Sequence, residues 1–260
     1  TDNKGRIYVA DRSNGVIQRF DKDLRFLDLI ETKGIILERP SSISHFENSE
    51  GIFFAIIQRR LSGRSAMNIF SLSGENQLVM HKAYNEKITL NDPQDMDVSV
   101  SGNFYVADTL NRRIIVVDLL GNPVNQINMA EISKNKRILI KSIFIRDDEH
   151  IFTADFEKCI VYHFDNKLDL IDTIDFSKLI NQIHVLRAVF ATNDLLILCV
   201  RGRNQVIVSD HKGKIIRQVN PDNKDDVDWN HPVKMHQTPQ GTIIIADKEN
   251  DRIMKLDSHI

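Results

Sequence analysis

Two groups of side chains in this sequence have the types and spacing to do chemistry. The first is cationic: Arg12, Arg39, Arg59, Arg60, Arg64, Arg112, Lys158, Arg201, Arg203 and Lys248, with Asn14, Asn111, Asn230, Phe156, His184 and His231 near them in the chain. Guanidinium and ammonium groups capture phosphates, flat rings stack on unpaired bases, and amides read base edges, so this set suits single-stranded RNA. The second group is His184, His231 and Asp92, which stand at matching points of a repeated pattern. Imidazole and carboxylate groups converging on an axis can hold a divalent metal. The other copies of that pattern offer no further ligand in the matched place, so no metal and no cofactor are expected. The chain has no nucleophile elbow, phosphate loop or Cys/His zinc spacing.

The elements that position these groups come from a repeat. Gly102 to Asp118 reads as a glycine turn, an apolar strand ending in Ala107-Asp108, a short polar loop, and a second β-branched strand ending in Asp118. Gly5 to Asp21 and Gly241 to Asp257 repeat it. Sliding this template along the chain finds six copies about 45 to 50 residues apart, the period of four-stranded propeller blades. The loop-bearing Asp falls at Asp11, Asp108, Asp155 and Asp247, with Ile57 and Val200 in the equivalent places. A second Asp follows at Asp21, Asp118, Asp165, Asp210 and Asp257.

The expected fold is therefore all-β, a six-bladed β-propeller of four-stranded blades forming a single domain over residues 1–260. Blade boundaries fall near 1–33, 34–86, 87–133, 134–180, 181–226 and 227–260. Inner strands follow an X-Pro step at Arg39-Pro40, Asp92-Pro93 and His231-Pro232, where proline favours an extended preceding residue. Only Phe176 to Ile183 reads as a helical turn or two. The first blade lacks an inner strand and the last an outer one, so closing strands are expected upstream of Thr1. Blade two carries the insertion Gln58 to Arg64.

In such a blade the loops joining the second and third strands emerge on the same end as the links to the next blade. That end collects the cations named above, with Trp229 and the acidic stretch Asp222 to Asp228, while the other end is richer in carboxylates. One basic face on a nearly neutral protein of net charge −2 would attract phosphates. The pairs Asp108 with Arg113 and Asp247 with Arg252 coincide with the repeat, and read as local ion pairs locking a loop. No apolar run approaches the ~20 residues of a membrane helix. Cys159 and Cys199, each in an apolar strand, read as buried free thiols of a reducing compartment, so the cytoplasm is expected.

On the residues Gly5 to Asp21, Gly102 to Asp118 and Gly241 to Asp257 the chain resembles the NHL repeat, and most of all the NHL domain that ends tripartite-motif (TRIM-NHL) proteins. The resemblance implies a sequence-specific single-stranded RNA-binding domain of a post-transcriptional regulator of translation, mRNA stability and gene silencing, with uridine-containing targets. It implies no enzymatic activity in this chain, since the ubiquitin-ligase chemistry of that family belongs to a RING domain. Protein partners of a repressor or ligase complex are expected, and no membrane or DNA duplex. Two alternatives stay open: a protein-interaction platform, and a metal-dependent lyase or lactonase-like propeller.

Overall fold

The structure is a computed structural model that describes residues 1–32, 35–59, 65–73, 77–83, 89–134, 137–178, 185–201, 204–219 and 229–256. The chain divides into two compact units, Thr1–Asn128 and Met129–Ile260.

In the first unit, β1 (Ile7–Asp11), β2 (Val16–Phe20) and β3 (Phe26–Thr32) form an antiparallel meander. Next come β4 (Pro40–Asn48), β5 (Gly51–Arg59), β6 (Ser65–Ser73) and β7 (Gln77–Ala83), again antiparallel. The two groups merge into one seven-stranded sheet, because β3 pairs with β7 in parallel through Glu31 opposite Gln77 and Thr32 opposite Leu78. A separate four-stranded sheet holds β8 (Pro93–Val98), β9 (Phe104–Asp108), β10 (Arg113–Val117) and β11 (Pro123–Asn128).

The second unit opens with a single helical turn, Met129–Ile132. Its first sheet is β12 (Ile140–Ile145), β13 (Ile151–Asp155), β14 (Ile160–Phe164) and β15 (Leu170–Asp175). Its second is β16 (Val185–Ala191), β17 (Leu195–Arg201), β18 (Gln205–Asp210) and β19 (Ile215–Val219). The last is three-stranded: β20 (Pro232–Gln237), β21 (Ile243–Asp247) and β22 (Arg252–Leu256).

Four of the expected repeats are thus complete four-stranded antiparallel groups among the described residues, and the first and last have three strands each. The three-stranded end groups match the missing inner and outer strands expected, and the expectation of six separate blades is corrected where the first two groups share one sheet. Within each unit the first strands of successive groups are neighbours, β1 with β4, β4 with β8, β12 with β16 and β16 with β20. The middle strands are buried on both faces, which is why they read as unbroken apolar runs: all five residues of β9 and all five of β13 are buried. Outer strands such as β11 and β15 are mostly exposed. A register shift recurs just inside the inner strand, at Pro40/Ser42, Pro93/Asp95, Ile140/Ser142, Leu186/Ala188 and Pro232/Lys234. Such bulges deepen the strand twist that a blade needs.

The X-Pro steps differ from expectation. Arg39 (φ 49°), Asp92 (φ 51°) and His231 (φ 65°) are left-handed rather than extended, at a cost of about 1–3 kcal/mol each. The carbonyl before or at this residue accepts a bond from the facing loop: Arg39 O from Arg59 N, Asn91 O from Leu110 N, and His231 O from Lys248 N. That anchoring turns the chain sharply into the inner strand. The helical turns lie elsewhere than expected, at Met129–Ile132 and in the 3-10 turns Thr109–Asn111 and Lys248–Asn250, while most of the Phe176 to Ile183 stretch lies outside the described residues. Among the described residues no helix is long and apolar enough to cross a membrane.

Candidate active site

Most of the repeated polar residues are consumed by the fold. Asp108 is fully buried, and its Oδ2 accepts from Arg113 Nε (2.8 Å) and Asn111 Nδ2 (2.8 Å) while Oδ1 accepts from Asn91 N (2.7 Å). Asp247 repeats this with Arg252 Nε (2.8 Å), Asn250 Nδ2 (2.8 Å) and Asn230 N (2.7 Å). Asp11 binds Asn14 Nδ2 and Gln18 Nε2 at 2.8 Å each. The local ion pairs read from the sequence are therefore present. The second Asp of the repeat has a different duty: Oδ1 of Asp21, Asp165 and Asp210 each accepts two backbone N–H bonds that close the next tight turn.

The residues expected to bind RNA are divided between the two units, and four of them lie outside the described residues. Arg60, Arg64, His184 and Arg203 lie outside the described residues, as does Asp222 to Asp228. In the first unit Arg12 and Arg39 are exposed, Arg59 is ion-paired with Asp92, and Arg112 is the left-handed residue (φ 55°) that closes its loop. The amides of Asn14 and Asn111 are engaged with Asp11 and Asp108, so they are not free to read bases. In the second unit the Phe156 ring is covered by the Lys141 ammonium, 3.8 Å from its centroid, and Lys158 is exposed. Trp229, expected on the binding end, is fully buried with Nε1 unpartnered, so it offers no stacking platform.

One group does come together, around His231. The imidazole is largely buried, its side chain 13% exposed, and Nδ1 lies 3.2 Å from Glu249 Oε1. Its Nε2 is buried and has no hydrogen-bond partner among the described residues. The placement is over-determined: His231 N donates to Asn204 Oδ1 (3.1 Å), Lys248 N to His231 O (3.3 Å), and Glu249 N to Asn230 O (3.0 Å). Asn204 Nδ2 also reaches Asn230 Oδ1 (3.5 Å). Lys248 Nζ donates to Glu249 Oε1 (3.1 Å), and that bond leads the effects holding the Glu249 carboxyl below its ordinary range.

Burial pushes the His231 pKa down, and the nearby charges of Arg201 and Lys248 push the same way against Glu249. The ring is thus neutral at neutral pH. With Nδ1–H directed at the carboxylate, Nε2 carries the lone pair, the arrangement of a general base oriented by a carboxylate. Of the sequence candidates, Arg201, Asn230, His231 and Lys248 belong to this neighbourhood. Glu249 was missed; its signal was a carboxylate two residues after a clamp Asp in the repeat whose inner strand opens on His231.

Asp92, matched to His231 in the repeat, is in the other unit and ion-paired with Arg59. Among the described residues no group of three or more His, Cys, Asp or Glu is arranged to hold a metal ion. A shallow groove of about 590 Å³ lined by Thr89, Arg113, Ile115 and β11 lies in the first unit, where Arg113 is already committed to Asp108.

No family model matches the chain, and no curated protein does. Solved structures define the class as a β-propeller. A streptogramin B lyase shares 12% identity at a TM-score of 0.65, over 99% of this chain and 91% of its own. A catalytically inactive histidine-to-alanine variant of virginiamycin B lyase from Staphylococcus aureus, solved with quinupristin, shares 12% at 0.66, over 97% and 77%. A putative 6-phosphogluconolactonase from Bacteroides uniformis shares 14% at 0.62, over 96% and 81%. At such identities the likeness shows the fold alone. The expectations of an RNA-binding regulator and of a chain without enzymatic activity are corrected here. The three similar structures above are lyases and a putative lactonase, and the amides of Asn14 and Asn111 and the ring of Phe156 are occupied within the fold. The NHL assignment is likewise reduced to the propeller class.

Proposed function

We propose that this chain is a propeller enzyme of lyase or lactonase type in which His231 moves a proton. The observation that carries the reading is the unpartnered, buried Nε2 of a neutral imidazole whose other nitrogen is held by Glu249. In a lyase step Nε2 would take a proton from carbon as the bond to the leaving group breaks. In a lactonase step it would take one from the water that attacks the carbonyl. Either way Glu249 stabilises the imidazolium formed, and the cations Arg201 and Lys248 favour negative charge developing on the substrate. The lyase and lactonase folds above support this reading, as does the histidine whose loss inactivates one of them. The same reading takes the strands as six blades of an NHL-like repeat, supported by the clamp at Asp11, Asp108 and Asp247.

The test is an assay of the purified chain against quinupristin and against a panel of small lactones, with His231→Ala and Glu249→Gln beside it. His231→Ala should lower kcat/KM about 10²–10⁴-fold, and Glu249→Gln should lower kcat and displace the acidic limb of its pH profile. Turnover that survives His231→Ala unchanged refutes the assignment, as does a chain inert towards the whole panel.

A further inference from the structure

The second unit carries another cluster of titratable groups that this chemistry does not use. It sits at the turn ends of the strands, whereas His231 is at the loop end. His150 immediately precedes β13, His163 is within β14, and His211 opens the turn after β18. His150 Nδ1 and His163 Nε2 lie 2.8 Å apart, with ring centroids at 5.0 Å. The His163 ring lies flat on Phe152, centroids 4.2 Å apart at 14°, which fixes its plane. Arg146, beside Phe152, is engaged by Asp148 (Nε to Oδ1, 2.7 Å). His211 Nε2 lies 3.0 Å from the Thr192 carbonyl oxygen, and a carbonyl only accepts, so that nitrogen carries a proton. All three rings are half-buried, within reach of solvent.

Two ring nitrogens facing each other at hydrogen-bond distance share one proton, so one of them always presents a lone pair. We infer that His150 and His163 form a two-imidazole site for a borderline divalent transition-metal ion of the zinc or copper(II) kind, which takes the place of the shared proton. Imidazole is the ligand these ions favour, and two metal–nitrogen bonds of about 2.0–2.1 Å in tetrahedral geometry set the nitrogens about 3.3 Å apart. The pair must therefore open by about half an ångström, a movement His150 can supply from its position at the end of a turn. The proton balance closes within the pair: the ring that donated moves its proton to its own second nitrogen, and none is released. Water completes the coordination, and His211, with its ring 6.2 Å from His163, stays outside it.

The experiment is calorimetric titration of untagged, chelator-stripped protein with zinc chloride and with copper(II) chloride. One equivalent should bind, and bound copper should show two nitrogen ligands by electron paramagnetic resonance. His150→Ala and His163→Ala should each weaken binding at least about tenfold, while His211→Ala should leave it nearly unchanged. His150→Ala lies outside the strands, and an unaltered melting midpoint for it separates loss of the site from loss of fold. Absence of saturable binding into the millimolar range overturns the site, as does full affinity in the folded His150→Ala protein. A tenfold loss in His211→Ala overturns the two-ligand assignment.

Discussion

Replacing one carboxylate with its amide at two matched positions, Asp108→Asn and Asp155→Asn, separates the frame of this fold from its irregularities. Both residues are fully buried and end the second strand of their repeats. Asp108 has a guanidinium, a side-chain amide and a backbone N–H aimed at its two oxygens. In the repeat of Asp155 the Asn has become Lys158 and the Arg has become Ile160. Asp155 accepts only backbone bonds, from Glu157 N (3.1 Å), Lys158 N (3.3 Å) and the Leu139 N–H, and its Oδ2 has no partner among the described residues. Hydrogen bonds to a charged group contribute roughly 1.5–3 kcal/mol each, and breaking one side of a buried pair costs about 3–5 kcal/mol, so Asp108→Asn should destabilise by ~3 kcal/mol. Burial raises the Asp155 pKa, so its folded form holds a proton longer than the unfolded chain does. Its ionisation penalty is therefore absent at low pH and grows as pH rises through the folded pKa. Asp155→Asn removes that penalty, so at pH 7 it should be neutral or stabilising by about 1 kcal/mol, with the benefit fading as pH falls. Urea denaturation of both variants at pH 7 and in the acid range reads the difference directly. Equal losses at the two sites would refute the claim that the clamp, rather than burial of a carboxylate, is what stabilises the loop.

Three further outcomes follow from the same geometry. His163 and His45 have folded pKa values lowered to about 4 and about 3, chiefly by burial, so the unfolded chain binds more protons below pH 6.5. Stability should fall on the order of 1–2 kcal/mol per histidine as pH drops from about 6.5 towards 4, and His163→Phe should flatten part of the decline in a melting series. Gly102 is left-handed (φ 85°), and a Cβ there would lie 2.8 Å from Phe46 Cζ, so Gly102→Ala should destabilise by about 1–3 kcal/mol, seen as a lower urea midpoint. Ile160→Arg restores the missing cation of the Asp155 clamp; it should raise the urea midpoint and lower the Asp155 pKa by NMR titration, and an unchanged pKa would show that the Arg does not reach Oδ2.

What was legible in the sequence was what the backbone repeats. The X-Pro steps located inner strands, since β4, β8 and β20 open at Pro40, Pro93 and Pro232. The Asp/Arg pairing was legible too, because its two members are five residues apart and face each other across one short loop. Three things were not. The left-handed residues before proline come from loop-to-loop anchoring, which overrides the local preference for extended backbone. The burial of Trp229 depends on packing with Met235, Val219 and the rest of the second unit's core, and no local pattern encodes that. The histidine pair joins residues 150 and 163 only through the register that places His163 opposite Phe152.

This division explains why a regular propeller misleads about function. Repeated polar residues look like a charged row, yet the repetition itself is the sign that they serve the frame, since every blade must close the same loop. Chemistry is instead to be sought where a repeat breaks its own rule. At the position two after the clamp Asp the chain carries Ser13, Leu110, Glu157 and Glu249, and before the inner-strand proline it carries Arg39, Asp92 and His231. Only in the last repeat do the described residues pair a carboxylate at the first position with an imidazole at the second, and there the imidazole keeps one nitrogen buried and unclaimed. A basic face assembled from residues common to all blades predicts a ligand that touches many repeats equally. The His231 geometry predicts the opposite, a substrate whose turnover depends on one loop of one repeat, and alanine substitution of His231 against that of Arg12 or Arg112 distinguishes the two.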